Sequence, residues 1–152
     1  MSYSSADARV QLLEELHRAG EAIGSAVAAL GEAYEWLDDQ SADRLEEELF
    51  RPAQAAFGRA QRTHSEFAGR HGLPVATFSA PSLGGRPGDA RGAIERAAGA
   101  LAGADQTLAT LQDSMLPVDV GDPDLRAGLS NVREVISPLP ARTRALLRLL
   151  GR

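Results

Sequence analysis

Four segments of this sequence carry apolar side chains at alternating spacings of three and four residues. In the first segment, seven of the eight positions are apolar or aromatic, and the exception is Gly20. The four series consist of Leu13, Leu16, Gly20, Ile23, Val27, Leu30, Tyr34 and Leu37; Phe50, Ala53, Phe57, Ala60, His64, Phe67 and His71; Ile94, Ala97, Leu101, Ala104, Leu108, Leu111 and Met115; and Leu129, Val132, Ile136, Leu139, Thr143, Leu146 and Leu150. A repeat of about 3.5 residues places these side chains on one face of an α-helix, toward partner helices.

The residue composition also favours helices. The chain of 152 residues contains 27 alanines and 20 leucines but only three isoleucines and seven valines. Alanine and leucine are strong helix formers, whereas β-branched residues favour strands. Four series in a chain of this length predict an all-α fold, a four-helix bundle, in a single domain over residues 1–152.

Two short connections separate the first series from the second and the third from the fourth. They lie at residues 38–41 and 117–123. Connections of this length join helices into antiparallel hairpins. We expect Ser41 to cap the second helix and Asp122 to cap the fourth, with Pro123 in the first helical position.

The segment 73–88 is rich in proline and glycine and is therefore not helical. Fully extended, it reaches about 50 Å, which is about the length of a 30-residue helix. It either loops back, giving up-down-up-down order, or runs the length of the bundle, giving the crossover order of ferritin-like proteins. The sequence leaves both paths open. Val75, Phe78 and Leu83 predict that this linker packs against the bundle.

Prolines interrupt two of the helices. Pro52 predicts either a helix start near Phe50 or a kink there. Pro138 and Pro140 lie inside the fourth series, whose spacing continues through them. We therefore expect a last helix that is bent at Pro138 and Pro140 and whose two halves face the same core.

Small residues flank the first series on both sides. They are Ala19, Gly24, Ala26, Gly31 and Ala33. A glycine inside a helix costs about 1 kcal/mol relative to alanine, so its presence needs compensation. We interpret these residues as close helix packing within one bundle rather than as a dimer interface.

The sequence lacks the residues of several common catalytic and metal sites. It has no cysteine, and all 16 basic residues are arginine, which excludes thiolate ligands, a P-loop lysine and a Schiff-base lysine. The Glu14-x-x-His17 pair lies off its series, and none of the series positions is a carboxylate, which argues against a di-iron centre. We expect no catalytic residues, no cofactor and no bound metal, and therefore a protein that is not an enzyme.

His64 and His71 provide the main alternative. They lie seven residues apart in the second series, which places them on one helix face with a rise of about 10 Å. Two ligands of one metal on a helix usually lie three or four residues apart, so a third group would have to reach between these two. A small metal- or ligand-binding bundle built on His64 and His71 is the second hypothesis.

Surface features favour a role in protein–protein contacts. Trp36 is the only tryptophan and lies off the first series, either covered by the linker or exposed as a binding anchor. Arg144 and Arg148 belong to a basic C-terminal segment, whereas residues 6–38 carry a net charge of −5. We expect an adaptor, regulator or assembly subunit that binds a protein partner or a second copy of itself. The candidate partner-binding residues are Trp36, Phe78, Arg144 and Arg148.

The remaining expectations concern location and other partners. Residues 1–7 do not resemble a secretory signal, and the longest apolar runs are too short to span a bilayer, so we expect a cytoplasmic protein. The net charge of −5 argues against a nucleic-acid partner. Tyr34 and Asp38 match the Tyr-x-x-x-Asp/Glu pattern of type VII secretion substrates, although the Trp-x-Gly turn of those proteins is missing. Export by such a system is a third hypothesis.

Overall fold

The computed structural model describes residues 4–82 and 88–151, which form helices and connecting loops without a β-strand. The helices are α1 (Ser5–Tyr34), α2 (Asp39–Leu45), a π-helical turn (Glu46–Phe50), α3 (Arg51–Arg70), α4 (Ala90–Asp113), α5 (Leu116–Asp119), α6 (Pro123–Ile136) and α7 (Leu139–Leu150). α2, the π-helical turn and α3 are continuous, and α6 and α7 are separated by two residues. The chain thus forms four long helical units, which confirms the predicted all-α four-helix bundle.

A side chain caps the N-terminus of each long helical unit. Ser4, Asp38, Asp89 and Asp122 each accept a hydrogen bond from the backbone N–H three residues later, at 2.6 to 3.0 Å. These bonds satisfy backbone donors that have no partner within the helix. The expected cap at Asp122 is confirmed. The cap expected at Ser41 is wrong, because α2 begins earlier and Ser41 donates to the Asp38 carboxylate from the first turn.

Neighbouring helices of the bundle run antiparallel. α1 packs against α3 and α4, and α6 and α7 complete the square against these two helices. Near one end of the bundle, Ser25 of α1 and Arg96 near the start of α4 border the same cavity. At the other end, Arg9 of α1 donates from Nε to the carbonyl oxygen of Val120, beyond the end of α4. α1 and the α6–α7 unit therefore point one way, and α3 and α4 point the other.

The linker follows α1 instead of looping back. Gly72 has a φ of 66° and ends the α3 unit in the left-handed conformation that glycine adopts without strain. Linker residues then meet successive turns of α1 through hydrogen bonds that join Thr77 to His17, Ser79 to Glu21 and Pro81 to Ser25. The chain thus travels from the C-terminal end of α3 toward the N-terminal end of α4, which is the crossover order.

The three apolar residues of the linker have different outcomes. Phe78 is 8% exposed and packs against the bundle as expected. Val75 is 62% exposed, so its expected packing is wrong. Leu83 lies outside the described residues, as do the other residues of the segment 83–87.

The core contains most of the predicted series positions, and α1 contributes a wider face than its series predicts. Ala19, Ala26 and Ala33 are at most 1% exposed, because α1 packs against two helices and the linker. The burial predicted for two series positions is wrong, since Tyr34 is 41% and Met115 61% exposed. Both lie where a helix has ended or is ending, so no neighbouring helix covers them.

Aromatic rings fill the space beside the glycines of α1. A Cβ atom at Gly24 would lie 2.6 Å from Cε1 of Phe57, and one at Gly20 would overlap the ring of Phe78. A Cβ atom at Gly31 would lie 3.7 Å from Cε2 of Phe50, which is an ordinary van der Waals contact. The glycines therefore allow rings from the second helical unit and the linker to approach the α1 backbone, as expected for packing within one bundle.

The second helical unit accommodates Pro52 by widening into the π-helical turn just before it. Proline has no N–H and crowds the carbonyl group four residues earlier, which here belongs to Glu48. In the turn, the hydrogen bonds run five residues back along the chain. Arg142 of α7 donates to the carbonyl oxygen of Glu48 at 3.0 Å, in place of the missing N–H. The alternative of a helix start near Phe50 is wrong, since residues 39–70 are helical throughout.

The last helical unit is interrupted at Ser137 and Pro138. Pro140 lies in the first turn of α7, where its missing N–H leaves no helical bond unmade. Ile136 and Leu139, on either side of the interruption, are both fully buried. The two halves therefore face the same core, as predicted.

Candidate functional site

Trp36 lies in the turn between α1 and α2. The residue is 44% exposed, which leaves a large part of its side chain open to a partner. Tyr34, the last residue of α1, is 41% exposed and lies two positions away. Two large aromatic residues are thus accessible at the same end of the bundle.

Acidic side chains surround these aromatic residues. Residues 32–43 contain five acidic residues and no basic one. Asp38 caps α2, and its hydrogen bonds from the backbone N–H and the hydroxyl group of Ser41 lower its pKa, so it is ionised at neutral pH. Glu35 and Asp43 are exposed. A partner that meets the aromatic residues therefore also meets a negative surface.

Two surface depressions border Tyr34. One of about 460 Å³ lies along the turn and the start of α2, and one of about 270 Å³ lies against Glu46 and the half-buried Phe50. Each combines an aromatic wall with carboxylate groups. We call this region, which comprises Tyr34, Trp36, Phe50 and the acidic residues within 32–46, the aromatic–acidic end.

The other predicted anchors lie elsewhere. Phe78 is buried against Gly20, with its ring centroid 4.8 Å from that of His17 and 5.3 Å from that of His64. It holds the linker on α1, and its burial leaves little of the ring accessible to a partner. Arg144 and Arg148 are exposed on α7, the helix that contacts α2 and the π-helical turn.

The structure does not bring His64 and His71 together in one site. His71 lies at the end of α3, where Nε2 is 3.1 Å from Oδ2 of Asp122 and the ring packs on Phe67. Asp122 also accepts two hydrogen bonds from Arg70, at 2.8 and 2.9 Å, and these lower the pKa of its carboxyl group far below the ordinary value. His71 thus belongs to an ionic cluster that joins α3 to α6.

His64 instead faces His17 of α1, and the two ring centroids are 5.9 Å apart. His64 is 2% exposed, and within residues 4–82 and 88–151 its Nδ1 atom has no hydrogen-bond partner. Burial lowers the pKa of His64, and the proximity of His17 lowers it further, so its ring is neutral at pH 7. His17 Nε2 donates to the carbonyl oxygen of Thr77, which fixes the proton on that nitrogen.

Sequence reasoning missed Tyr34 as a site residue, and it could not decide whether His17 joins the other two histidines. His17 lies next to the series position Leu16, and only the register between α1 and α3 places it opposite His64. Tyr34 carries a signal that could have located it, because it is the last series position before the polar residues of the turn.

Neither a membrane span nor a metal site is present in residues 4–82 and 88–151. No helix there combines the length and apolar character needed to cross a bilayer, and no group of three or more His, Asp or Glu residues is placed to hold a metal ion. Comparison with models of protein families, with curated proteins and with solved structures gives no match.

Proposed function

We propose that this protein is a non-catalytic helical bundle that acts through protein–protein contacts, as an adaptor, regulator or assembly subunit, and that it binds its partner with the aromatic–acidic end. The observation that carries this proposal is the exposure of Tyr34 and Trp36 within an acidic surface. Tryptophan and tyrosine are enriched among the residues that dominate binding energy at protein interfaces.

The chemistry of this end selects a basic partner segment. Arginine and lysine side chains stack on exposed tryptophan and tyrosine rings, and neighbouring carboxylates strengthen their attraction. Glu35 and Asp43 supply that charge beside the rings without being needed to cap α2. The two depressions at Tyr34 offer room for such side chains. We therefore expect a protein segment that presents arginine or lysine next to an apolar residue.

The experiment compares capture of host-cell proteins by the immobilised wild type and by the variants Trp36→Ala, Tyr34→Ala and Val118→Ala. Val118 is a matched control, because it is an apolar residue with 63% exposure at the opposite end of the bundle. A protein captured by the wild type is purified, and its affinity for each variant is measured by calorimetry at low and high salt.

We expect Trp36→Ala to weaken binding by about tenfold or more, while Val118→Ala binds like the wild type. High salt should weaken binding of the wild type. If the partner is a second copy of this chain, Arg144 and Arg148 supply the basic side chains. Sedimentation compares the oligomeric state of the purified wild type with that of Arg144→Glu and Arg148→Glu. Capture that is unchanged in Trp36→Ala and Tyr34→Ala, together with a monomer at all concentrations, would contradict the proposal.

A further inference from the structure

One aromatic ring anchors the part of the linker that lies along α1. We call this part, residues 77–81, the linker strap. Phe78 is 8% exposed, and its ring packs on the backbone of Gly20. The ring also meets the edges of two histidines, with its centroid 4.8 Å from that of His17 and 5.3 Å from that of His64. The strap therefore covers the place where the histidines of α1 and α3 face each other.

Few other contacts hold the strap in place. Ser79 donates from its backbone N–H and from its hydroxyl group to the carboxylate of Glu21, and Ser25 donates to the carbonyl oxygen of Pro81. α1 packs directly on α3 and α4, so the helices do not depend on the strap for their contacts with each other. Segments with few buried contacts open at a lower free energy than the whole fold. Local release of the strap is therefore cheaper than unfolding of the bundle.

His64 resists protonation while the strap is closed. It is 2% exposed, and its Nδ1 atom has no hydrogen-bond partner in the part of the chain that the structure describes. A protonated imidazole carries an N–H group at both nitrogens, so the Nδ1–H group would be buried without an acceptor. Burying a charged donor in this way is costly. The ring of His17 lies 5.9 Å away, and a positive charge there adds repulsion.

The other charged groups around His64 lie farther out. Glu14 of α1 borders the same surface depression but is exposed, and Glu21 faces Nδ1 of His17 at 3.7 Å. On α3 itself the positions three and four residues away are uncharged, and residues 73–81 of the linker contain no ionisable group. α6 contributes the carboxylate of Asp122, which is held at the end of α3. Burial and the charge of His17 therefore govern the protonation of His64.

We propose that the linker strap is released in acid, because protonation of His64 favours an open state in which Phe78 has left Gly20 while the four helices stay folded. In the open state water reaches the imidazole, which takes up a proton near its ordinary pKa of 6.5. In the closed state burial holds the pKa of His64 below that value. The closed state is therefore favoured most above pH 6.5, and the open fraction rises by at most about tenfold for each pH unit below it.

Glu21 does not cause this release. The hydrogen bonds from Ser79 lower the pKa of Glu21, so its carboxylate stays ionised and keeps accepting them from pH 7 to pH 5. Release of the strap uncovers the notch at Gly20 and exposes the ring of Phe78. Acid thus adds an apolar surface to the side of α1, away from the helix ends.

The experiment measures hydrogen exchange of backbone amides by NMR at pH 7, 6 and 5, with each rate divided into the intrinsic rate at the same pH. The amide of Ser79 reports on the strap, because it is bonded to Glu21 only in the closed state. The amide of Ile23, which is fully buried in α1, reports on unfolding of the helices. The proteins are the wild type, His64→Phe, His71→Phe and Phe78→Ala. His64→Phe keeps an aromatic ring without a titrating group, and His71→Phe is the same change outside the strap.

We expect the protection of Ser79 in the wild type to fall by up to about 25-fold from pH 7 to pH 5 and to stay below that of Ile23 at each pH. His71→Phe should behave like the wild type, His64→Phe should show no such fall, and Phe78→Ala should leave Ser79 unprotected at pH 7. The proposal is overturned if the protection of Ser79 does not change with pH, or if it falls equally in His64→Phe. Equal protection of Ser79 and Ile23 would also overturn it, because the strap would then open only when the whole bundle unfolds. None of these results depends on the aromatic–acidic end.

Discussion

Because Phe78 packs on Gly20, we predict that Gly20→Ala destabilises the wild type but stabilises a variant that lacks the Phe78 ring. At an exposed position inside a helix, replacing glycine with alanine stabilises a protein by about 1 kcal/mol, because alanine is the better helix former. At this site, however, the new methyl group would lie 2.7 Å from Cδ2 of Phe78 and closer still to the neighbouring ring atom. Either the ring moves out or the linker shifts, and overpacking of this kind costs about 1 to 3 kcal/mol.

We therefore expect Gly20→Ala to destabilise the wild type by up to about 2 kcal/mol. Phe78→Ala alone should cost about 3 kcal/mol, at the lower end for a buried phenylalanine, because this residue lies on a linker and can relax. In the Phe78→Ala background the clash is gone, so Gly20→Ala should stabilise by about 1 kcal/mol. The coupling between the two substitutions is then about 1 to 3 kcal/mol.

Gly99→Ala provides the control. Gly99 lies in the middle of α4, and no atom of another element in the described part of the chain lies within 4 Å of the position of its Cβ atom. It should stabilise both backgrounds by about 1 kcal/mol. Free energies of unfolding are measured by urea denaturation, followed by circular dichroism at 222 nm. If Gly20→Ala stabilises the wild type as much as Gly99→Ala does, Phe78 does not lie on α1 and the linker contact is refuted.

Three further predictions follow from the ionisable and aromatic residues. Burial lowers the pKa of His64 below its ordinary 6.5, so below pH 6.5 the unfolded chain binds a proton that the folded chain does not. Acidification from pH 7 to 5 should therefore lower the free energy of unfolding of the wild type more than that of His64→Gln. The difference, measured by urea denaturation, is at most about 1.4 kcal/mol per pH unit. Asp122→Ala removes both the cap of α6 and the acceptor for Arg70 and should cost about 2 kcal/mol, whereas Asp122→Asn, which keeps an oxygen for the cap, should cost about half as much in thermal unfolding. Quenching of Trp36 fluorescence is measured relative to quenching of free N-acetyltryptophanamide by the same ion. On that scale Cs⁺ should quench Trp36 more than I⁻ does, because acidic residues lie beside it in the sequence; equal relative quenching would contradict the acidic setting.

Local features of the sequence predicted much of the fold. The series from Ile94 to Leu111 and from Leu129 to Leu146 are buried along their whole length. The cap at Asp122 was predictable, because capping depends on residues within one helical turn. Ser41 was misplaced since an aspartate three residues earlier competes for the same role, and both residue types suit it.

The candidate sites depended on relations between distant residues. The spacing of His64 and His71 suggested a common site, yet the register of α1 against α3 pairs His64 with His17, and the start of α6 pairs His71 with Asp122. Phe78 carried the same apolar character whether it was exposed or buried. Its position on Gly20 follows from the path of the linker, which the sequence left open.

Periodicity, helix-forming composition and capping residues were enough to determine that the chain forms four long helices with an apolar core, because each of these properties acts over a few neighbouring residues. The tertiary structure alone decided the crossover of the linker, the partners of each histidine and the exposure of Tyr34 and Trp36. Those features depend on contacts between groups that lie far apart in the sequence. The hydrogen bond from Arg142 to the carbonyl group of Glu48, for example, joins residues that are 94 positions apart. No short spacing in the sequence encodes which of them meet.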